Sequence, residues 1–299
     1  MTTKIFEHIV IGYDFSESCR IALHEAVRLA QRHHAKLTLF HAIDDLLLQY
    51  NHLMTLSPPE LEAAIHAEAK KDIDALLQKV GGSVIYEVHI CSGKPYKELL
   101  AFCQKDDVSL LVIGKTGASA LERILLGSTA ERLLRHADVP VLLVRPDKEP
   151  GFQKILVPVD FSELSQMALK EAFALAIHEG ASLEVLHIVE FGTLPLPAGV
   201  GAFEEALNLP LVMQDQAREE MARFIADFDF GDIHVHTHLT VGTPDQEITR
   251  YAEENGCDLI VMGSVGRTGL QGFLLGNTAD RVSRRTQCSL LTLKPPRLT

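Results

Sequence analysis

A sixteen-residue stretch occurs twice in this chain, as GKTGASALERILLGST at residues 114–129 and as GSVGRTGLQGFLLGNT at residues 263–278. In each copy two glycines stand three apart and a third follows after nine intervening residues: Gly114, Gly117 and Gly127, then Gly263, Gly266 and Gly276. One glycine of this kind would be turn punctuation. Two copies in register mark a backbone shaped around something, because glycine admits positive φ and removes the Cβ that would keep a ligand off the main chain.

The flanks say what the glycines sit between. SLLVIG precedes the first copy and DLIVMG the second, apolar runs too short for helices and rich in β-branched residues, which predicts buried strands. Downstream, Ser128 with Glu131 spells a capping box, and Asn277 with Asp280 a weaker version of the same helix start. Each copy therefore reads strand, glycine loop, helix. The helix start offers unpaired N–H groups and the positive end of the dipole, a site suited to phosphate.

Two look-alikes fail on spacing. A P-loop, GxxxxGK(S/T), needs glycine where this chain has Ser109 inside the strand. A Rossmann G-x-G-x-x-G needs glycine where Thr116 and Val265 stand.

The duplication runs through the whole chain. Residues 4–44 match residues 152–190, with Asp14 aligned to Asp160 and His41 to His187, both at a separation of 146, and the motif glycines at 149. Two units of about 150 residues, each able to bury one core, are expected over residues 1–147 and 152–299, joined by a charged, proline-containing linker around 145–152. In the first unit a strand ends near Asp14, a helix spans 16–33, a strand runs over 36–43, SPPE at 57–60 opens a long helix, a strand lies around 83–91, and a helix starts at Pro95. The glycine motif and a last strand, PVLLV at 140–144, complete it, and the second unit repeats the series.

Strands alternating with helices specify an α/β fold, here two tandem doubly wound domains, each a five-stranded parallel sheet of order 3-2-1-4-5 flanked by helices. In that order the first and fourth strands lie side by side and a crevice opens at their carboxyl ends. Asp14 would then face the loop at Gly114, and Asp160 the loop at Gly263. A carboxylate in that place suits the hydroxyls of a ribose or the amino group of a base better than phosphate. Helix capping is the plainer role for both aspartates, and the two roles are compatible. The fifth strands, PVLLV and SLLTL, are expected to lie antiparallel against each other, covering two edges and making an intramolecular pseudo-dimer. Association of two chains is left open.

Net charge is −12, from −3 over residues 1–150 and −9 over the remainder, which argues against nonspecific nucleic-acid binding. No apolar run is long enough for a membrane span and the amino terminus begins no signal peptide, so a cytoplasmic protein is expected. Cysteines at 19, 91, 103, 257 and 288 form no CxxC and are odd in number, as expected of reduced thiols. His234, His236 and His238 alternate, which would put three imidazoles on one face of an outer strand. They are candidate zinc ligands, but polar decoration of a less covered strand face is the favoured reading. The apolar, Pro/Gly-punctuated segment 190–211 reads as a packed surface loop, or as the cover of a lipophilic pocket.

In these motifs the chain resembles a tandem universal stress protein, with two domains of that family fused in the manner of the enterobacterial type E members. The family motif G-x2-G-x9-G-(S/T) is met by Gly114, Gly117, Gly127 and Ser128; Gly263, Gly266 and Gly276 fit, with Asn277 in place of the hydroxyl residue. The resemblance implies the doubly wound fold and, in the ATP-binding members, an adenine nucleotide as ligand. It assigns adenine and ribose contacts to Asp14 with Ala42 and to Asp160 with Ile188. Phosphate contacts would come from Gly114, Lys115, Gly117, Gly127, Ser128 and Thr129, and in the second half from Gly263, Gly266, Gly276, Asn277 and Thr278. Tyr13 stands where the family is usually small and would narrow the first adenine slot. For Lys115, charge favours phosphate, while a solvated loop lysine is the commoner explanation.

The expected function is that of a nucleotide-binding stress or regulatory protein whose ATP occupancy alters conformation or partner choice. A scaffold with another ligand or none, and a slow ATPase, stand as alternatives. No base and nucleophile pair stands out, and no catalytic residue is expected.

Overall fold

The inner strands of the sheet are drawn from runs of apolar residues, while the two outermost, at 86–92 and 235–241, mix polar and apolar positions. The computed structural model describes residues 5–44, 58–80, 84–116, 126–145, 151–190, 202–266 and 275–295. The first half comprises β1 (His8–Gly12), α1 (Glu17–His33), β2 (Lys36–Ile43), α2 (Pro58–Val80), β3 (Tyr86–Ser92), α3 (Pro95–Lys105), β4 (Leu110–Gly114), α4 (Ser128–His136) and β5 (Val141–Val144). The second comprises β6 (Lys154–Val159), α5 (Glu163–Glu179), β7 (Ser182–Val189), α6 (Ala202–Ala226), β8 (Val235–Val241), α7 (Pro244–Glu254), β9 (Leu259–Gly263), α8 (Asn277–Arg285) and β10 (Ser289–Leu293).

The strand order is β3-β2-β1-β4-β5-β10-β9-β6-β7-β8, so each half has the order 3-2-1-4-5 and the two five-stranded sheets fuse into one of ten strands. Pairing is parallel within each half, and β5 meets β10 antiparallel through Leu143 with Leu290 and Val141 with Thr292. β4, β5 and β10 are buried at every position, because helices cover both faces. One core packs α1, α2, α5 and α6 against the sheet, with Leu23, Ile73, Leu169 and Phe224 among its members. The other packs α3, α4, α7 and α8, with Leu99, Leu133, Ile248 and Val282. Both cores run through the two halves.

Side chains reinforce the join. Arg28 of α1 reaches Glu179 of α5 at 2.7 and 2.9 Å and Glu25 at 2.6 Å. Nearer the glycine motifs, Arg284 of α8 pairs with Glu131 of α4 at 2.7 Å and Arg135 of α4 with Asp280 of α8 at 3.1 Å. These are pseudo-equivalent pairs, exchanged between halves as in an isologous dimer. All five cysteines are free thiols, four of them buried and Cys91 half-buried.

Element ends depart from the sequence reading in places. The third strand starts at Tyr86 rather than near 83, and part of the segment read as a loop over 190–211 is helical from Ala202. Residues 191–201, which carry the proposed cover of a pocket, and Ser57 lie outside the described residues. Among the described residues no helix is long and apolar enough to cross a membrane.

Candidate functional site

The crevice begins where neighbouring strands part. The β1/β4 register runs from Ile9 with Leu110 to Ile11 with Val112, and the β6/β9 register only over Ile155 with Leu259 and Leu156 with Ile260. Pro158 stands beyond that last pair, where the ladder has already ended.

Past β1 the chain turns through Asp14 and Phe15 to Ser16, which caps α1 by accepting from the Cys19 amide at 3.2 Å. Asp14 Oδ1 accepts the Ser16 amide at 3.0 Å. The second half repeats this: Ser162 caps α5, and Asp160 Oδ1 accepts the Ser162 amide at 3.1 Å and its hydroxyl at 2.5 Å. The helix caps are thus serines, and each aspartate, two residues earlier, fixes the cap residue. Between them Phe15 (φ 63°) and Phe161 (φ 62°) occupy the left-handed region.

The glycine loops close on these turns. A Cβ at Gly114 would stand 2.7 Å from Ser18 Oγ and 2.9 Å from the Ser18 carbonyl carbon, so the first turn of α1 packs on bare backbone. The Thr116 amide donates to Ser18 Oγ at 3.3 Å, and the Ser16 hydroxyl donates to the Thr116 carbonyl at 3.4 Å. In the second half a Cβ at Gly263 would meet Leu164 at 2.8 Å, and one at Gly266 would meet Asp160 Oδ2 at 2.7 Å. Far ends of the loops return to near ends: Gly127 N–H donates to the Lys115 carbonyl at 2.9 Å and Gly276 N–H to the Ser264 carbonyl at 2.7 Å.

Ser128 and Asn277 are not the caps that the sequence suggests. Gly127 (φ −62°, ψ 145°) and Gly276 (φ −64°, ψ 155°) hold those positions, without a side-chain cap bond. Glu131 donates its amide to the Gly127 carbonyl at 2.9 Å, which makes it the fourth helical residue and removes it from capping-box position. Ser128 and Asn277 are therefore the first residues of their helices and exposed, and the opening N–H groups there have no intrahelical partner. Thr129 is exposed and Thr278 half-buried.

Lys115 is buried, at 4 % exposure, contrary to a solvated loop lysine; the bond from Gly127 to its carbonyl brings the end of the loop back onto it. Gly117 lies outside the described residues. Tyr13 is buried in the core beside Ile11 and Cys19, and burial pushes its phenol up to about 12. Ala42 is half-buried near the end of β2 and Ile188 buried near the end of β7. Next to them, His41 Nδ1 lies 2.8 Å from the Tyr13 carbonyl and His187 Nδ1 2.8 Å from the Val159 carbonyl. These histidines aligned in the sequence, yet nothing there tied them to the aspartate turn.

The histidine triplet divides. His234 immediately precedes β8, its carbonyl accepting the Leu183 amide at 2.9 Å, and both His234 and His236 are exposed. His238 Nε2 lies 2.8 Å from Glu184 Oε2, a buried carboxylate that also accepts the Tyr251 hydroxyl at 3.0 Å. Burial and then Glu184 push the Tyr251 phenol well above its ordinary range. No group of three metal-ligating side chains is assembled among the described residues.

Comparison with known proteins matches this arrangement to one family along the chain. The model of the universal stress protein family matches residues 6–145 and again 151–294. A universal stress protein of Mycolicibacterium smegmatis is 29% identical over 302 residues, covering 96% of this chain and 97% of its own. Universal stress protein E of Escherichia coli K12 is 27% identical over 311 residues, 97% of this chain and 95% of its own. A universal stress protein of Methanocaldococcus jannaschii is 32% identical over 147 residues, 49% of this chain and 84% of its own. Among solved structures, a universal stress protein from Archaeoglobus fulgidus shares the fold with a TM-score of 0.67 at 24% identity, covering 96% of this chain and 98% of that one.

Proposed function

The chain belongs to the universal stress protein family, and from that premise we propose that each half, taken as residues 1–147 and 152–299, binds an adenine nucleotide, ATP foremost, in the crevice between its aspartate turn and its glycine loop. Occupancy then alters conformation or partner choice in a stress response. The observation that carries this reading is the approach of Gly266 to Asp160, 2.7 Å from a Cβ position to the carboxylate, which supports one shared pocket for the two motifs.

The roles follow from donor chemistry. Asp14 and Asp160 accept hydrogen bonds from ribose hydroxyls or the adenine amino group, beside the backbone of Ala42 and Ile188. Gly114, Lys115, Gly117, Gly127, Ser128 and Thr129 face phosphates in the first half, and Gly263, Gly266, Gly276, Asn277 and Thr278 in the second. The opening N–H groups of α4 and α8 and the dipoles behind them favour a polyanion. Buried Lys115 gives the first half a cation near that end which Ser264 does not supply in the second.

Equilibrium titration of nucleotide-free protein with Mg-ATP tests the reading. Saturable binding that weakens in Gly127→Ala, where a methyl group enters the phosphate path, is the expected result. Absence of saturable adenine-nucleotide binding to the full chain would sink it.

A further inference from the structure

We infer that His41 and His187 are positioning residues, each latching the turn that presents Asp14 or Asp160 to the glycine loop; this rests on the nucleotide-site reading above. The latch is built from two contacts per half. His41 Nδ1 meets the Tyr13 carbonyl and His187 Nδ1 the Val159 carbonyl, both at 2.8 Å. A carbonyl only accepts, so Nδ1 carries a proton in each contact. The same rings pack on the aromatic residue after the aspartate, His41 against Phe15 at 5.0 Å between centroids and His187 against Phe161 at 4.2 Å.

The turn needs such a hold. Phe15 and Phe161 sit at φ 63° and 62°, a conformation that bulky L-residues rarely adopt and that persists only where the surroundings over-determine it. The imidazole fixes the carbonyl just before the aspartate, and Asp Oδ1 fixes the amide two residues further on at 3.0 and 3.1 Å. With both ends held, the aspartate side chain has one course. In the second half that course brings Oδ2 to within 2.7 Å of a Cβ position on Gly266. The two halves differ at neighbouring positions, Gly12 against Pro158 and Tyr13 against Val159, while the histidine, the left-handed phenylalanine and the bond length recur. The latch therefore follows the aspartate turn, not the local packing.

Two double variants of the full chain separate its parts. His41→Phe/His187→Phe keeps an aromatic ring and loses the donor; His41→Asn/His187→Asn keeps an N–H at the Nδ1 position and loses the ring. Loss of one such bond at a positioned site predicts Mg-ATP affinity about tenfold weaker in the phenylalanine variant, and within about threefold of the parent in the asparagine variant. A purely packing role predicts the opposite order. Nitrogen-15 NMR of the nucleotide-free chain is expected to show both rings as the Nδ1–H tautomer, and an Nε2–H tautomer overturns the latch whatever the binding result. Unchanged affinity in the phenylalanine variant of a chain that binds also overturns it. If the parent chain binds no nucleotide, the functional reading falls alone, and the latch is decided by the tautomer and by a crystal structure of the phenylalanine variant, in which Phe15 and Phe161 must leave positive φ.

Discussion

Gly266 stands against Asp160 so closely that the position of a Cβ on the glycine would be 2.7 Å from carboxylate Oδ2. The two residues lie more than a hundred positions apart in the chain, one after the first strand of its half and the other after the fourth. The 3-2-1-4-5 order makes those strands neighbours, and their early divergence leaves room for the carboxylate beside the loop. Glycine at 266 thus makes room for the aspartate, and the backbone there does not take positive φ.

The glycines differ in what they touch, and substitution separates their roles. Gly114→Ala drives a methyl group toward the Ser18 carbonyl carbon at 2.9 Å and the Cys19 amide at 3.0 Å, backbone atoms that cannot rotate away. Its expected cost is about 2–3 kcal/mol, read as a lowered urea midpoint. Gly266→Ala meets the end of one side chain at an exposed position and is expected to cost under about 1 kcal/mol while weakening ligand binding in the second half. Equal destabilisation by the two variants contradicts this assignment.

Arg28 neutralises two buried carboxylates at the join between halves. Glu25 and Glu179 side chains are 4% and 3% exposed, and Arg28 bonds to both. Arg28→Met takes from Glu25 the cation that it bonds and leaves Glu179 only the longer contact with Arg32 at 3.6 Å, and it is expected to destabilise the chain by about 3 kcal/mol in chemical denaturation. Adding Glu25→Gln and Glu179→Gln removes the stranded charges and restores most of that loss. A triple variant no more stable than Arg28→Met would show that packing over Phe152, where the guanidinium lies 5.5 Å from the ring, is what matters.

Topology was legible because it depends on patterns the chain carries locally. Apolar runs before Gly114 and Gly263, the duplicated spacing and the need to cover the edges of PVLLV and SLLTL lead to the doubly wound halves and the β5/β10 join. What stayed hidden depends on contacts between distant residues. Serine and glycine are both acceptable caps, so sequence favours Ser128, while the return bond from Gly127 to Lys115 starts the helix one residue earlier and buries the lysine. His238 finds its partner in Glu184, a buried charged residue in a largely apolar strand. His41 and His187 recur visibly, but their partners are main-chain carbonyls, which no residue pattern marks.

Ser128 against Asn277 is the sharpest chemical difference between the loops. Glycine holds the cap position in each half, and Ser128 and Asn277 are exposed in the first turn of their helices. On the nucleotide reading, Ser128→Ala weakens first-half binding by about threefold to tenfold, the worth of one hydrogen bond to a charged group or somewhat less. Asn277→Ser strengthens second-half binding. Calorimetric titration of the two variants checks both directions, and opposite signs would show that the hydroxyl is not a phosphate ligand.

His33 makes the fold sensitive to acid from the interface side. It is 1% exposed, neither ring nitrogen has a hydrogen-bond partner, and its ring lies 5.1 Å from Phe6 and 4.5 Å from His178 across the join. Burial, then His178, Arg28, Arg32 and His34, lower its pKa from 6.5 to about 4. The unfolded chain therefore binds this proton at higher pH than the folded one, and stability falls as the pH drops. The group's contribution is complete above pH 6.5 and is lost progressively toward pH 4, up to about 3 kcal/mol in all. Carboxylates also titrate in acid, so the informative quantity is the difference between the parent and His33→Leu, which cannot take up the proton. Urea midpoints measured between about pH 7 and about pH 4.5 should fall less in the variant. Parallel curves for the two proteins would mean that the imidazole is already relieved by water or by rearrangement of the α1/α5 contact.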